Sequence, residues 1–488
     1  MPFQSRFRLM LAATLMLTGH GLVSHSVFAF ERPRDPRREA IEAFQKIGYR
    51  VKEEDRLVFI APTDVADEDL VRIPDIPIAF GLHFGASSIT ETGLQTLSQL
   101  RNLASLSLVF TKIHCESDCG FENMENLTEL SVLGSTVTDI GLKQIAMLPQ
   151  LQTLDLRKTR ITGPGLMEFA EHKRLRALEL DLTDEILHVL SKAQLLHILP
   201  YAEGKMETAP DSDDEIFALH LNGFYNIRIT DHAITALTQL PNLRTLNLTG
   251  SDITDAGIHE LTKLPHLSTL SLEQTKVTDS GMEELSSIKT LLSLNLDATA
   301  VTDAGLHPLA DNSQLIAISL NRTRISDAGV RTLTKIGGLM ELSAGSTNIT
   351  LTGLKELSSL RSLTTLRIHH TKVSDVGLKE ISKLPSLITL DLVLCDITDI
   401  GLKELRRLTK LGTLHLNRTP ITDVGLKELR GFTELSTLSL SATQVTDAGL
   451  AELVFLRNLK TLVLYGTPVT IPGIEILQQK LPECEVFY

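Results

Sequence analysis

The chain has 488 residues, a formal net charge of −13 at pH 7, no Trp and only 4 % aromatic residues. The acidic balance argues against nucleic-acid binding, which normally requires a basic face. Four Cys in a chain of this length are too few for a scaffold built on disulfides.

The first 29 residues are typical of a secretory signal peptide. Arg6 and Arg8 precede an apolar run at residues 9–17, which is too short to span a bilayer. Val27 and Ala29 suit a small-residue cleavage site, so we expect cleavage after Ala29. The alternative is a retained N-terminal anchor. We therefore expect an exported protein without a membrane span, located in the periplasm, on the cell surface or outside the cell.

Residues 30–56 are predicted to form an N-terminal cap. Apolar residues at helical spacing favour a helix over about 35–47, which ends at Gly48. A short strand is expected at 56–61. Repeat arrays need end units that cover the exposed core, and this segment fits that role.

A motif, Ile/Val-Thr-Asp-x-Gly-Leu, then recurs through the chain. The first block, residues 57–199, has motif starts 24 residues apart up to Ile161, and one more start after 21 residues. These starts are Val65, Ile89, Ile113, Val137, Ile161 and Leu182. Ile113 keeps the spacing but lacks the Thr, Asp and Gly of the motif. A fixed period over many units indicates a solenoid.

The register breaks at residues 200–215, an acidic stretch that contains Pro and has no periodicity. We expect an irregular, solvated loop there, because the Asp-rich run lacks the Gly and the spacing of a calcium loop. The second block, residues 216–480, resumes the period. Its starts are Ile229, Ile253, Val277, Val301, Ile325, Ile349, Val373, Ile397, Ile421, Val445 and Val469. Residues 481–488 are expected to form a C-terminal cap strand.

Each unit contains the pattern of one strand and one helix. Leu414 and Leu416 alternate with polar residues, as in a half-buried strand. Units that repeat in one direction require parallel strands and a crossover, here from Asp423 to about Phe432. We expect Thr and Asp of the motif to cap the helix start, and the Gly to permit close approach of the neighbouring unit. A column of Thr two residues before each start is expected to bond loop backbone in adjacent units.

The pattern Leu-x-x-Leu-x-Leu-x-x-Thr-x-Ile/Val-Thr-Asp-x-Gly-Leu resembles the leucine-rich repeat over about residues 56–482. It is similar to the cysteine-containing subclass found in F-box receptors and in secreted bacterial proteins. The resemblance implies an α/β fold, a right-handed curved solenoid with a parallel β-sheet on the concave face and short helices on the convex face. It also implies binding of another protein. No F-box segment is present, and a signal peptide stands in its place.

The cysteines carry little chemistry. Cys115 and Cys119 are four residues apart in a polar segment, and a local disulfide is consistent with an exported protein. A metal site would need further ligands, and only His114 is near. Cys395 occupies the Thr column, which favours a buried structural role.

Charged residues replace the small polar ones at one place on the predicted sheet face. Arg367, Asp391 and His415 occupy the same column on three successive strands, about 4.8 Å apart. The candidate binding residues are Arg367, His369, His370, Asp391, His415, Asn417 and Arg418. These residues either bind a partner, small ligand, anion or metal, or form a charge ladder in which Asp391 offsets the neighbouring cations.

The sequence favours an exported, non-enzymatic scaffold that binds a protein or, as a second choice, a surface glycan. It contains no catalytic triad, phosphate loop or zinc-type spacing, so we expect no cofactor, no catalytic residue and no metal. The alternative is a ligand-binding or catalytic site at Arg367, Asp391 and His415. A ubiquitin-ligase receptor role, implied by the resemblance alone, is disfavoured by the signal peptide.

Overall fold

The computed structural model describes residues 35–53, 56–113, 115, 119–205, 208–223, 227 and 229–488. The signal-peptide prediction, the start of the expected cap and His114 lie outside these residues. The strands are β1 Arg50–Glu53, β2 Leu57–Ile60, β3 Phe80–Gly85, β4 Leu103–Val109, β5 Glu129–Ser131, β6 Thr153–Asp155, β7 Ala177–Glu179, β8 Ala202–Glu203, β9 Ala218–His220, β10 Thr245–Asn247, β11 Thr269–Ser271, β12 Ser293–Asn295, β13 Ala317–Ser319, β14 Glu341–Ser343, β15 Thr365–Arg367, β16 Thr389–Asp391, β17 Thr413–His415, β18 Thr437–Ser439, β19 Thr461–Val463 and β20 Glu485–Phe487.

Helices alternate with these strands, and several units have short 3₁₀ turns instead of, or after, an α-helix. The α-helices are α1 Pro36–Lys46, α2 Glu91–Leu97, α3 Asp139–Ala146, α4 Gly163–Leu166, α5 Asp184–Lys192, α6 Asp231–Leu237, α7 Asp255–Leu261, α8 Met282–Ser287, α9 Asp327–Leu333, α10 Leu351–Leu357, α11 Asp375–Ile381, α12 Asp399–Leu402, α13 Asp423–Leu426, α14 Asp447–Leu453 and α15 Ile471–Lys480.

Within the described residues the strands form two sheets in chain order, β1 to β7 and β8 to β20. Successive strands of the repeats pair in parallel and without slippage from β9 onward, for example Leu390 with Leu414. The end strands β1 and β8 instead pair antiparallel with their neighbours. The result is an α/β solenoid with one face of strands and one face of helices.

The curvature of this solenoid follows from element size. Adjacent strands lie about 4.8 Å apart, whereas packed helices need about 8–10 Å between their axes. The same number of units must therefore form an arc with the sheet on its concave side. We refer below to the sheet face and the helix face.

The core is a continuous column of Leu, Ile and Val between the two faces. Leu414, Leu416, Ile421 and Leu426 of one unit are fully buried, and the same positions are buried along the array. At the N-terminal end α1 covers this column. Its Phe44 ring stacks on Phe59 at 3.7 Å between centroids.

The Thr or Ser of most motifs caps the helix as expected, but the Asp does not. Thr278 Oγ1 accepts a hydrogen bond from Ser280 N, which satisfies an orphan N–H of the first turn. The carboxylate of Asp255 instead accepts two bonds from the next unit, from Thr278 N at 2.8 Å and from Thr278 Oγ1 at 2.6 Å. We call this pair of bonds the Asp–Thr contact. It joins one unit to the next rather than closing its own helix.

The Gly of the motif makes room for this contact. A Cβ on Gly281 would lie 2.6 Å from Oδ1 of Asp255, and the same clash occurs at Gly425 with Asp399. Any larger residue would push away the carboxylate. The expected close approach between units is therefore present, and its reason is the aspartate side chain of the preceding unit.

Three units lack this carboxylate. The Asp position holds Cys115, Gly163 and Leu351. Thr138, which follows Cys115 by 23 residues, has a buried hydroxyl without a hydrogen-bond partner in the protein. Ser374, which follows Leu351, likewise makes no side-chain cap. These joints lack the Asp–Thr contact, and strand pairing and apolar packing hold the units together there.

The register break interrupts the sheet but not the helix face. Residues 200–215, expected to be an irregular loop, contain the two-residue strand β8 and a 3₁₀ turn at Asp213–Glu215. His197 N and Nδ1 both contact Asp213 Oδ1, at 2.8 and 2.9 Å, and so tie the segment back. The Asp–Thr contact continues across the break from Asp184 to Thr230. The 24-residue period could not predict this ordered structure, because contacts outside the repeat pattern hold the segment in place.

The Thr column makes its bonds within its own unit, which differs from the expected bonds between units. Thr419 Oγ1 donates to the carbonyl of Leu416, three residues earlier, at 2.6 Å. Thr299 and Thr443 do the same to Leu296 and Leu440. The hydroxyl reinforces the turn after the strand, because the backbone N–H groups of Thr299 and Thr443 donate to the same carbonyls.

The Asp–Thr contact can be tested at Asp399 and Gly425. Asp399→Ala removes both bonds to Thr422, and Gly425→Ala places a methyl group on the Asp399 carboxylate, so each should destabilise by about 1–3 kcal/mol. The double variant should lose less than the sum by about 0.5 kcal/mol or more, because removing the carboxylate relieves the clash. Urea unfolding measures this. The exposed Glu404→Ala is the control, and strict additivity would contradict the assignment.

Candidate functional site

The seven candidate residues lie at the ends of β15, β16 and β17 and in the turns that follow. Arg367 pairs in register with Asp391, and Asp391 with His415, so their side chains share one column of the sheet face. The neighbouring units have Ser343 and Ser439 in this column. The structure therefore brings the charged triplet together as the strand period predicts.

The basic group nearest to Asp391 lies outside that column. His369 Nδ1 lies 3.6 Å from Asp391 Oδ2, whereas Arg367 and His415 form no ion pair with it among the described residues. The other oxygen of Asp391 accepts a bond from Val393 N at 3.0 Å. Asp391 thus makes a diagonal contact in addition to standing between Arg367 and His415 in its own column.

His369 is positioned by a glycine of the preceding unit. A Cβ on Gly345 would lie 2.3 Å from the His369 ring, so the ring rests directly on the glycine backbone. Its Nδ1 is buried and has no hydrogen-bond partner in the protein. The sequence analysis named His369 only as a neighbour of Arg367. Gly345, at the equivalent position of the preceding unit, was the available signal, because a glycine there leaves space for the His369 ring.

His415 is half-buried and next to one charge of each sign. Burial is the largest effect and lowers the pKa of His415; Arg367 lowers it further, and Asp391 opposes both. The net pKa is below the ordinary value of 6.5, so His415 is neutral near pH 7. The cluster then has Arg367 as its fixed cation and Asp391 as its fixed anion.

His370 and Arg418 occupy the turn position after the strand, with φ of 52° and 55°. Their backbone N–H groups donate to the next unit, and their side chains are exposed. Other units place Gln274 or Ala442 in the same left-handed conformation, so the conformation belongs to the repeat. Arg418 remains available at the rim of the cluster, whereas His370 Nδ1 lies within hydrogen-bond distance, 3.2 Å, of Ser346 Oγ.

Asn417 is engaged in structural bonds. Its Oδ1 accepts from Ser439 Oγ at 2.6 Å and from Ser441 N at 2.7 Å. Asp297 Oδ1 makes the same pair of bonds to Ser319 and Asn321. This candidate residue therefore braces the sheet face between units.

A second charged cluster on the sheet face was not found from the sequence. Arg157 contacts Asp155 and Glu179 on β6 and β7, at 2.9 and 2.8 Å. Burial raises the pKa of Asp155, but bonds from Arg157 outweigh it and the net pKa is lowered. The available signal was that Asp155 and Glu179 occupy the same strand column as Asp391. Since all of its charges are paired, this cluster serves mainly to hold the end of the first sheet.

The structure joins Cys115 to Cys119 by a disulfide, and both residues are fully buried. The disulfide lies where the motif has lost its Thr, Asp and Gly. Cys395 and Cys484 are free and buried, and burial raises the pKa of both, of Cys484 to about 11. Protonated, buried thiols are poor nucleophiles.

The described residues hold no group of three or more His, Cys, Asp or Glu that could bind a metal ion. In the same ranges, no helix is long and apolar enough to cross a membrane. Two open depressions lie away from the cluster, one at Ile388, Lys410 and Gly412 and one near His172. The cluster itself is flat and solvent-facing.

A stack of strand–helix units joined edge to edge defines the chain as a solenoid repeat protein. A family model described as leucine-rich repeat matches five segments, at residues 149–170, 239–261, 263–286, 359–382 and 383–405. These five segments are leucine-rich repeats, and the structure repeats the same strand–helix unit on either side of them. Assignment of the chain to the cysteine-containing subclass stays a prediction. No curated protein matches the sequence.

Solved structures resemble the fold at low identity. An internalin from Listeria monocytogenes is 22 % identical, with a TM-score of 0.42, and the match covers 81 % of this chain and 88 % of that one. A leucine-rich-repeat protein from Leptospira interrogans is 17 % identical, with a TM-score of 0.39 and coverage of 92 % and 98 %. The TLR13–ssRNA13 complex is 18 % identical, with a TM-score of 0.50 and coverage of 90 % and 70 %. Likeness at these identities concerns the fold alone.

The lowered pKa of His415 predicts a pH effect on stability. As pH falls below about 6.5, the unfolded chain takes up a proton on His415 before the folded chain does, so stability falls until the lower folded pKa is passed. His415→Gln removes this contribution, and its unfolding midpoint should fall less between pH 7 and pH 5. The exposed His266→Gln should behave as the wild type. An equal pH response of all three would contradict the prediction.

Proposed function

We propose that the chain is an exported, non-enzymatic scaffold that binds another protein, and that the contact includes Arg367, Asp391 and His415. The observation that supports this most is the change in one column of the sheet face. Ser or Asn occupies it in most units, and three consecutive units replace these with charged or titratable groups. Because the repeat does not require charges there, they are free to serve recognition.

The charge state of the cluster supports a protein partner. Arg367 is half-buried and has no carboxylate within ion-pair distance in the described residues. Arginine held on a rigid sheet is a frequent anchor in protein interfaces, because its fork pairs with a carboxylate in two bonds. A carboxylate of the partner could form two bonds with the Arg367 guanidinium and lie beside neutral His415.

A small-ligand site is less well supported. Small molecules generally bind in concave pockets that bury most of their surface. The cluster is flat, and the two open depressions do not include it. A flat face with a few charged groups suits a protein surface better than a small molecule.

The cluster is tested with the double variant Asp391→Ala/His415→Ala. The partner of the wild-type protein is first identified by crosslinking and mass spectrometry in the native compartment. The variant should bind that partner at least about tenfold more weakly, as expected for residues near the centre of an interface. Thr269→Ala/Ser271→Ala, on the same face of β11, is the matched control. Unchanged affinity with unchanged folding would remove the cluster from the interface.

Export is tested on the protein purified from its native cells. The pattern of residues 1–29 predicts that the mature chain begins after Ala29. The disulfide between Cys115 and Cys119 agrees with an oxidising compartment. Intact-mass analysis should find the cleaved chain with these two cysteines oxidised. An uncleaved chain with reduced cysteines, recovered from the cytoplasm, would contradict export.

A further inference from the structure

A row of exposed aliphatic side chains runs along the edge at which strands begin. We call it the strand-entry stripe. It consists of the residues directly before β12 to β16, namely Leu292, Ile316, Met340, Thr364 and Ile388. The four aliphatic members are 39 %, 41 %, 42 % and 46 % exposed, so each is embedded to about half of its surface.

The fold does not require apolar residues at this position. The units outside the stripe have Ser268, Gly412, Ser436 and Lys460 there. Their backbones make the same bonds as the stripe does: Ile316 N donates to Leu292 O, and Gly412 N donates to Ile388 O. The run of Leu292, Ile316 and Met340 in three successive units, followed by Ile388 after Thr364, is thus an added property of this surface. Contiguous apolar surface of this kind marks interaction sites.

The surroundings of the stripe are basic, although the whole chain carries −13. The loops that lead into these strands contain exposed Lys289, Lys335 and Arg361, and the next loop contains exposed Lys410; none of the four has a carboxylate partner in the described residues. Lys410 lines the open depression at the end of the stripe together with Ile388, Gly412 and Glu434. The acidic residues beside the stripe itself are Asp311 and Glu341.

The spacing of the stripe fits one helix. Four strand steps of about 4.8 Å separate Leu292 from Ile388, a span of about 19 Å. One helical turn rises about 5.4 Å, so a helix of about 13 residues would place one apolar side chain near each unit. Recognition of an amphipathic helix uses such a row of anchors.

We propose that the strand-entry stripe is the docking site for an amphipathic helix of a partner protein, with acidic residues flanking its apolar face. This inference rests on the proposed role as a protein-binding scaffold but not on the cluster at Asp391. A lipid surface is the weaker reading, because half-embedded side chains reach less far into a bilayer and the stripe has no Trp or Tyr.

The probe is a labelled 14-residue peptide with Leu on one helical face and Glu elsewhere, and its binding to the full chain is followed by fluorescence anisotropy. Ile316→Asp/Met340→Asp should weaken binding by about tenfold or more, since it removes two central anchors. Lys335→Glu/Lys410→Glu should weaken it several-fold and reduce its salt dependence. The matched control is Val376→Asp on the helix face, where Val376 is 61 % exposed.

Three results would overturn the proposal. The first is that a scrambled peptide, or a peptide with Lys in place of Glu, binds as tightly as the acidic amphipathic peptide. The second is that the stripe variants bind the peptide with the wild-type affinity. The third is that the chain binds anionic phospholipid vesicles and does not bind the peptide. Asp391→Ala/His415→Ala should keep peptide affinity. If that variant loses the native partner while the peptide never binds, the proposed function stands and the stripe inference fails.

Discussion

The carboxylate of the motif aspartate joins most units to the next, and the regular stacking of the solenoid depends on this bond. A single strand–helix unit cannot bury its apolar face alone, so each unit must be held against its neighbour in fixed register. Asp255 does this by accepting both the backbone N–H and the hydroxyl of Thr278, while that hydroxyl also accepts a bond from its own helix. Gly281 leaves the space that the carboxylate occupies. Thr, Asp and Gly of the motif therefore act together across two units.

The joints without this carboxylate differ in what replaces it. At Cys115 a disulfide takes the place of the helix start, and a carbon of Cys115 fills the space beside Gly141. At Leu351 there is no carboxylate to accept bonds from Ser374, and Leu354 packs against Gly377 instead. That joint immediately precedes the unit that contributes Asp391. The charged cluster and an apolar joint thus share one region of the array.

Because packing, capping and turn closure account for most residues of a unit, few positions remain for recognition. On the sheet face these are the outward residues of the strands, where Arg367, Asp391 and His415 depart from the polar background. Along the strand-entry edge, the positions free for recognition are the residues just before each strand. There Ile316 and Met340 are apolar and exposed, whereas other units have polar residues or Gly. The two surfaces overlap on β15 and β16, where Thr364 and Ile388 directly precede the strands that carry Arg367 and Asp391.

The sequence by itself determined the unit, its parallel strands, the Thr cap of the helix and the column shared by Arg367, Asp391 and His415. These follow from a local period of two within the strand and from a fixed period of 24 between units. Only the tertiary structure decided that Asp399 bonds to Thr422, that Thr419 bonds within its own unit, and that the His369 ring, resting on Gly345, is the basic group nearest Asp391. It also decided that Asn417 is engaged and that Ile316 and Met340 are exposed. A period fixes which residues share a column, but the directions of side chains and the closeness of stacked units decide which atoms meet.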